Sequence, residues 1–284
     1  MKRIVSVHLL NDYSGSPKVL MQLLKSWTKN GMDAHLFTSG GRKGFLSDIP
    51  NVKNHLFWYR FSSNALVRIV IFFLSQFFLM IKLLFFLKKS DVVYINTVLP
   101  FGAAIAGKLR GCKIIYHIHE TSVKPKIFKN FLFGTAKMTA AKIVFVSEYL
   151  LKQESLIKNQ ELLYNVLESD FAEKADRFRN MEKEIPVVLM ICSLKIYKGV
   201  DEFLELAKKN PSYIFKLVVN ATEKEIQEYF KGKEIPKQLI IYPTQTDTLP
   251  FYQEASVILN LSHPNLWVET FGLTILEGMR YGLP

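Results

Sequence analysis

Short, β-branched apolar runs alternate with segments of helical period along most of the chain. Residues 4–10 read as a strand, 18–30 as a helix closed by Gly31, and 34–38 as a second strand. Residues 92–96, 113–117 and 143–146 are again short and β-branched, with helix-like pieces such as 102–109 between them. The alternation lapses over 167–184, LESDFAEKADRFRNMEKE, which is polar and has no strand pattern. It then restarts with a strand at 186–192, a helix at 200–209, a strand at 215–220, a helix at 223–232, and strands at 238–242 and 256–261. Such alternation predicts an α/β fold of parallel, doubly wound sheets. The lapse predicts two Rossmann-like domains, 1–170 and 171–284, facing a cleft into which the carboxyl ends of the strands open. The pattern stops at Leu283-Pro284 where a further strand is expected, so the second domain reads as incomplete and the chain as truncated.

One segment departs from this pattern. Residues 65–87, ALVRIVIFFLSQFFLMIKLLFFL, are the most apolar stretch of the chain, yet Arg68 and Lys82 leave only 13 residues between them, including Ser75 and Gln76. A spanning helix needs about 20 apolar residues. Two readings remain: a helix packed in the first domain, which the length favours, or a helix lying in a membrane interface. Residues 124–142 set Lys124, Lys126, Lys129, Lys137 and Lys142 around Ile127, Phe128, Phe131, Leu132 and Phe133. That mixture suits either a solvated basic face or contact with anionic lipid.

Charge bears on the choice. The net charge of +12 is concentrated in residues 1–165, with 23 Lys/Arg against 8 Asp/Glu; residues 166–284 have 14 against 17. A basic first half suits nucleic acid or an anionic membrane. No nucleic-acid module is present, so the membrane is the expected partner. Cys112 and Cys192 lie far apart without metal-ligand or disulfide spacing, and the N-terminus has no secretory h-region. These features predict a cytoplasmic protein, peripheral on the inner face of the plasma membrane.

The candidate chemistry is concentrated near the C-terminus. A helix over 273–281 places Glu269 just ahead of it and Glu277 inside it, with eight residues corresponding to about 12 Å of helix. Carboxylates accept from neutral hydroxyl pairs, so one could hold a sugar and the other a ribose. Between them Phe271, Gly272 and Leu273 would offer a helix N-terminus to a diphosphate. In isolation, two such glutamates are more often a cap and a surface residue.

The surrounding sequence is more specific. The run ILNLSHPNLWVETFGLTILEGMRYGLP closely resembles the signature of the family-four retaining glycosyltransferases of GT-B fold, whose E-x7-E motif falls on Glu269 and Glu277. CSLKIYKGVDEFLELA resembles the strand, loop and helix that open that family's donor domain, and its diphosphate-binding lysine falls on Lys198. Weaker echoes are YSGSPKVLMQLL, IIYHIHET, KIVFVSEYL and LLYNVLESDF. The resemblance implies transfer of a sugar from a nucleoside-diphosphate donor to a hydroxyl with retention, without a cofactor or required metal; no Asp-x-Asp motif occurs. It implies that Glu269 positions the sugar, Glu277 the ribose, and Lys198 the leaving diphosphate. The family's arginine near the start of this loop is replaced by Ser193, and Lys195 is expected to compensate only in part. His119 falls where the family has a histidine near the transferred sugar, and His117, two residues earlier, is the competing candidate. Gly15 and Ser16 suit close backbone approach to an anion or acceptor, and Asn96 and Thr97 end a strand as candidate acceptor contacts. The basic, apolar first domain suits a lipid-linked or oligosaccharide acceptor in bacterial cell-surface polysaccharide or lipopolysaccharide synthesis. A sugar-nucleotide epimerase of the same fold and a non-catalytic subunit of a transferase complex are the alternatives.

Overall fold

The computed structural model describes residues 2–154, 159–179, 185–266 and 268–284. The chain divides into two compact units, Met1–Tyr164 and Asn165–Pro284. The first runs β1 (Arg3–Val7), α1 (Gly15–Lys29), β2 (Asp33–Ser39), β3 (Val52–Phe57), α2 (Ala65–Phe86), β4 (Val92–Asn96), α3 (Phe101–Leu109), β5 (Lys113–Ile118), α4 (Lys126–Thr139), β6 (Lys142–Phe145), α5 (Glu148–Gln153) and β7 (Gln160–Leu162). The second runs α6 (Ser169–Arg177), β8 (Val187–Ser193), α7 (Val200–Lys209), β9 (Ile214–Asn220), α8 (Glu223–Tyr229), β10 (Leu239–Tyr242), α9 (Leu249–Glu254), β11 (Val257–Ile258) and α10 (Leu273–Arg280).

The seven strands of the first unit lie in the order β3-β2-β1-β4-β5-β6-β7, and the four of the second in the order β10-β9-β8-β11. Neighbouring strands pair in parallel in both sheets. Such strands are buried on both faces and read as continuous apolar runs, which is why the central ones were legible. The edges were not. β3, VKNHLF, and β7, QEL, are largely solvent-facing, so neither carries an apolar run. The strand expected over 256–261 pairs in register with β8 only at Val257 and Ile258. Beyond them the chain turns alongside the β8–α7 loop, where the Leu261 carbonyl lies 2.3 Å from the position of a Cβ on Gly199.

The polar segment after residue 167 forms helix α6. Phe171, Ala175 and Phe178 recur at helical spacing and pack with Tyr252, Ala255 and Tyr281. The division therefore falls between Tyr164 and Asn165, ahead of residue 170, because α6 belongs to the second core.

Helix α2 is packed on one side and open on the other. Asn64 caps it by accepting from the Leu66 and Val67 amides. Phe72, Ser75, Gln76, Leu79 and Leu83 are buried, and Gln76 Oε1 accepts from the Gly102 amide of α3 at 3.2 Å. A Cβ on Gly102 would lie 2.2 Å from the Gln76 carbonyl oxygen, so only glycine lets the two backbones approach this closely. Backbone cannot swing aside as a flexible side chain can. Gly102→Ala should therefore cost about 1–3 kcal/mol by overpacking, read as a lowered midpoint in urea unfolding; an unchanged midpoint contradicts the contact.

Candidate active site

In the first unit the candidate residues meet through the Asn96 side chain at the carboxyl end of β4. Its Nδ2 donates to the Ser16 carbonyl at 3.0 Å, so its Oδ1 is the acceptor facing His119 Nε2 at 2.9 Å. That assignment puts the His119 proton on Nε2 and leaves Nδ1 as an acceptor. His8, at the end of β1, has Nδ1 3.2 Å from the Asn96 carbonyl and 3.1 Å from its Nδ2. One amide thus joins the ends of β1, β4 and β5 to the first turn of α1. Ser16 enters through its backbone. Gly15, one residue earlier, is exposed, and a Cβ there would meet nothing within 4 Å, so packing inside the protein does not demand a glycine.

The two histidine rings of β5 and its exit share one side, with centroids 4.2 Å apart. They differ in setting. His117 is buried, its Nδ1 lies 2.8 Å from the Tyr94 hydroxyl, and its Nε2 has no hydrogen-bond partner among the described residues. Burial lowers the pKa of both His8 and His117 to about 4. His119 is also held well below the ordinary range, first by burial and then by His117 and His8. All three imidazoles are therefore neutral at pH 7, which suits hydrogen bonding to an uncharged hydroxyl rather than to an anion.

Thr97 follows with φ of 72°. Positive φ in a β-branched residue is strained, at a cost of about 1–3 kcal/mol. Its amide donates to the His117 carbonyl at 2.8 Å, and its buried hydroxyl makes no hydrogen bond among the described residues. Glu120, which the pattern of the chain did not single out, closes the group. Its Oε1 accepts from the Val98 amide at 2.8 Å and its Oε2 from the His119 amide at 3.2 Å. Burial nevertheless raises its pKa to about 7.

In the second unit a 3-10 turn, Ile196–Lys198, connects β8 to α7. Gly199 closes it with φ of 77°, a conformation that only glycine adopts cheaply and that the nearby Leu261 backbone would forbid to a larger residue. Lys198 Nζ donates to Glu269 Oε2 at 2.7 Å, with the lysine mostly buried and the glutamate a third exposed. Ser193 ends β8, and its carbonyl accepts from the Lys195 amide at 2.8 Å. Lys195 itself stands exposed at the head of the turn. The segment after β11 is tied to the same turn, since the His263 amide donates to the Tyr197 carbonyl at 2.8 Å.

Helix α10 begins at Leu273 behind Gly272, whose φ is 72°. It has no side-chain cap and no acidic residue in its first turn. The Gly272 carbonyl accepts from Ile275 and Leu276, so the amides ahead of them, from Gly272 to Thr274, form the electropositive end, with half-buried Phe271 preceding it. Glu269 lies before this helix and not on it. The expected 12 Å of intervening helix is therefore wrong, and only about 6 Å of helical rise, from Leu273 to Glu277, contributes. Glu277 is no surface residue. It is 2% exposed, and its Oε2 accepts from the Tyr252 hydroxyl of α9 at 2.6 Å. Burial and then this carboxylate raise the Tyr252 pKa well above its ordinary value. No local signal marks Tyr252, because its partner is 25 residues away in sequence.

Two family models match the chain, one described as Glycosyltransferase Family 4 over residues 13–153, the other as Glycosyl transferases group 1 over residues 172–284. The chain belongs to the group 1 glycosyltransferases. Its similarity to solved structures is in fold, at low sequence identity. The Anabaena protein Alr3699/HepE, solved with UDP and glucose, is 17% identical with a TM-score of 0.76; the match covers 100% of this chain and 80% of that one. A glycosyltransferase from Rickettsia africae is 15% identical with a TM-score of 0.69, covering 99% of this chain and 78% of that one. TarM from S. aureus is 11% identical with a TM-score of 0.70, covering 100% and 85%. These neighbours agree with two parallel α/β units of the GT-B type. No curated protein matches the chain.

Two expectations follow for the transferase. Tyr252→Phe keeps the volume but removes a donor from a buried carboxylate, which should cost about 1.5–3 kcal/mol in chemical unfolding; a loss below 0.5 kcal/mol, by the same reasoning about hydrogen bonds to charged groups, sinks the interaction. For Glu120 the folded value, about 7, lies above the ordinary 4.5. Between these pH values the folded state keeps a proton that the unfolded chain has released, so the stability from this group falls as pH rises across the window. Wild type should accordingly lose stability relative to Glu120→Gln between pH 5 and pH 7.5, and parallel unfolding curves at both pH values would refute the assignment.

Proposed function

We propose that the protein transfers a sugar from a nucleoside-diphosphate sugar to a hydroxyl with retention at the anomeric carbon and without a metal. The observation that carries this reading is the Lys198–Glu269 pair in the same unit as the uncapped start of α10. A cation and the electropositive start of a helix suit a diphosphate, whose charge grows as it departs. A carboxylate beside that cation suits the hydroxyls of the sugar. In the proposed reaction Lys198 turns from Glu269 toward the diphosphate, and Glu269 accepts from the sugar. Glu277, fixed by Tyr252, accepts from the ribose. His119 and Asn96, neutral donor and acceptor, serve the acceptor hydroxyl, with Thr97 and the Ser16 backbone beside them and His117 supporting the ring of His119. Lys195 supplies part of the positive charge that Ser193 lacks, and no protein base is assigned.

Support for the donor class comes from the neighbours. The Anabaena protein is in complex with UDP and glucose, and a TarM variant with UDP and alpha-GlcNAc-glycerol. We place the reaction on a lipid-linked acceptor in bacterial surface polysaccharide synthesis, at the cytoplasmic face of the plasma membrane, because the first unit is basic and apolar. The serine at position 193 favours one rival, a non-catalytic subunit, because a metal-free transfer needs cations against the leaving group.

A panel of UDP-, GDP-, ADP- and dTDP-sugars read by thermal shift tests the donor site. A ligand at 100 times its Kd stabilises by about 2.7 kcal/mol. One nucleotide series should stabilise wild type, and Lys198→Met should weaken that shift, each protein's ligand-bound midpoint being read against its own unliganded one, since Lys198 is mostly buried and paired with Glu269. With an acceptor hydroxyl, product of retained anomeric configuration should form in the presence of EDTA. No shift with any donor supports the non-catalytic subunit; donor turnover without an acceptor supports an epimerase.

A further inference from the structure

Helix α2 is apolar on both faces, unlike an ordinary surface helix. Its polar residues Ser75 and Gln76 are buried against the protein, while its outer stripe is apolar. Leu66, Val70, Phe77 and Phe78 all stand exposed, the last two at 53% and 57%, and Phe85 reaches 89%. The two charges inside the helix do not interrupt this stripe. Arg68 turns back to donate to the Ser62 carbonyl at 3.0 Å with its guanidinium over Phe61, and Lys82 donates to the Leu56 carbonyl at 2.8 Å.

The apolar surface continues onto α4. Phe73 packs against Phe128 and Phe131, and Ile127 lies 84% exposed next to them. The sequence of this unit around α2 and α4 is rich in basic residues. Residues 49–119 contain nine Lys/Arg and one acid, Asp91, which is buried and paired with Arg3. Residues 121–147 contain Lys124, Lys126, Lys129, Lys137 and Lys142 and no acid; Lys129 pairs with Glu154 and Lys142 with Glu161, which leaves Lys124, Lys126 and Lys137 as the cations available to an anionic surface.

From these observations we infer that the outer stripe of α2, continued by α4, is an in-plane docking face for an anionic lipid bilayer. Large exposed apolar patches mark interaction sites, and the surrounding cations decide which one. Each near an anionic surface contributes about 1 kcal/mol, whereas a second copy of this face would bring its own cations against them. The helix is long and apolar enough to cross a membrane by length and composition. However, Phe72, Ser75, Gln76, Leu79 and Leu83 are held along the protein, and the Gly102 contact locks the helix to α3. It therefore lies flat, with its outer aromatic side chains in the interface. This inference rests on exposure and charge alone and survives if the transferase reading fails.

The test is co-flotation of the full chain with phosphatidylcholine vesicles with and without phosphatidylglycerol. Wild type should float with the anionic vesicles, more weakly with neutral ones, and be released by alkaline carbonate. F77E/F78E and, at the other end of the helix, L66E/V70E should partition at least about tenfold more weakly, with far-UV circular dichroism and thermal midpoint retained. Donor-induced thermal shifts should be unaffected by these variants, which separates failure here from failure of the donor site. The inference is overturned by wild type left in the soluble fraction, by variants that float as wild type does, or by carbonate-resistant insertion. A concentration-dependent dimer abolished by F77E/F78E without vesicle binding would overturn it in favour of a self-interface.

Discussion

Parallel pairing of the strands is the constraint on which the rest of this molecule depends. A parallel ladder cannot be closed by a tight hairpin, so each strand must be followed by a crossover that returns the chain to the same end of the sheet. All carboxyl ends then lie along one edge. In the first unit this brings His8 and His119, at the exits of two strands distant in sequence, within reach of the Asn96 side-chain amide at the end of a third. In the second it puts Ser193 at the start of the turn that presents Lys198.

The two units solve different electrostatic problems. The edge of the first is neutral, with imidazoles kept uncharged by burial and a carboxyl that ionises only near pH 7. The second keeps a cation, a carboxylate and an uncapped helix start in place. An uncharged polar edge suits hydroxyl groups, and a charged one suits a diphosphate. Backbone strain at Thr97 and the unsatisfied hydroxyl beside it belong to the first, where binding can recover part of their cost.

Helix α2 shows how fold and surface are coupled. Its inner face is fixed by a glycine that lets backbones touch, and its outer face is left exposed among the described residues. A surface helix of a globular protein ordinarily carries polar residues on that outer face. The polar pair Ser75 and Gln76 made the segment look interrupted in sequence, but the interruption points inward, and the apolar stripe is continuous.

By itself the sequence determined the α/β class, the central strands, most helices and the Glu269–Glu277 motif, because buried parallel strands and amphipathic helices carry local periodicity and the motif is contiguous. Val92–Asn96 and Val200–Lys209 were legible to the residue for that reason. The edge strands β3 and β7 were not, since an edge faces solvent and loses the apolar run. Nor were Glu120, Tyr252 and His8, or the inward turn of Arg68 and Lys82. Their settings arise from contacts between residues far apart in the chain, and no local pattern encodes which carboxylate a tyrosine will meet, or to which side a lysine folds, until the tertiary structure brings the partners together.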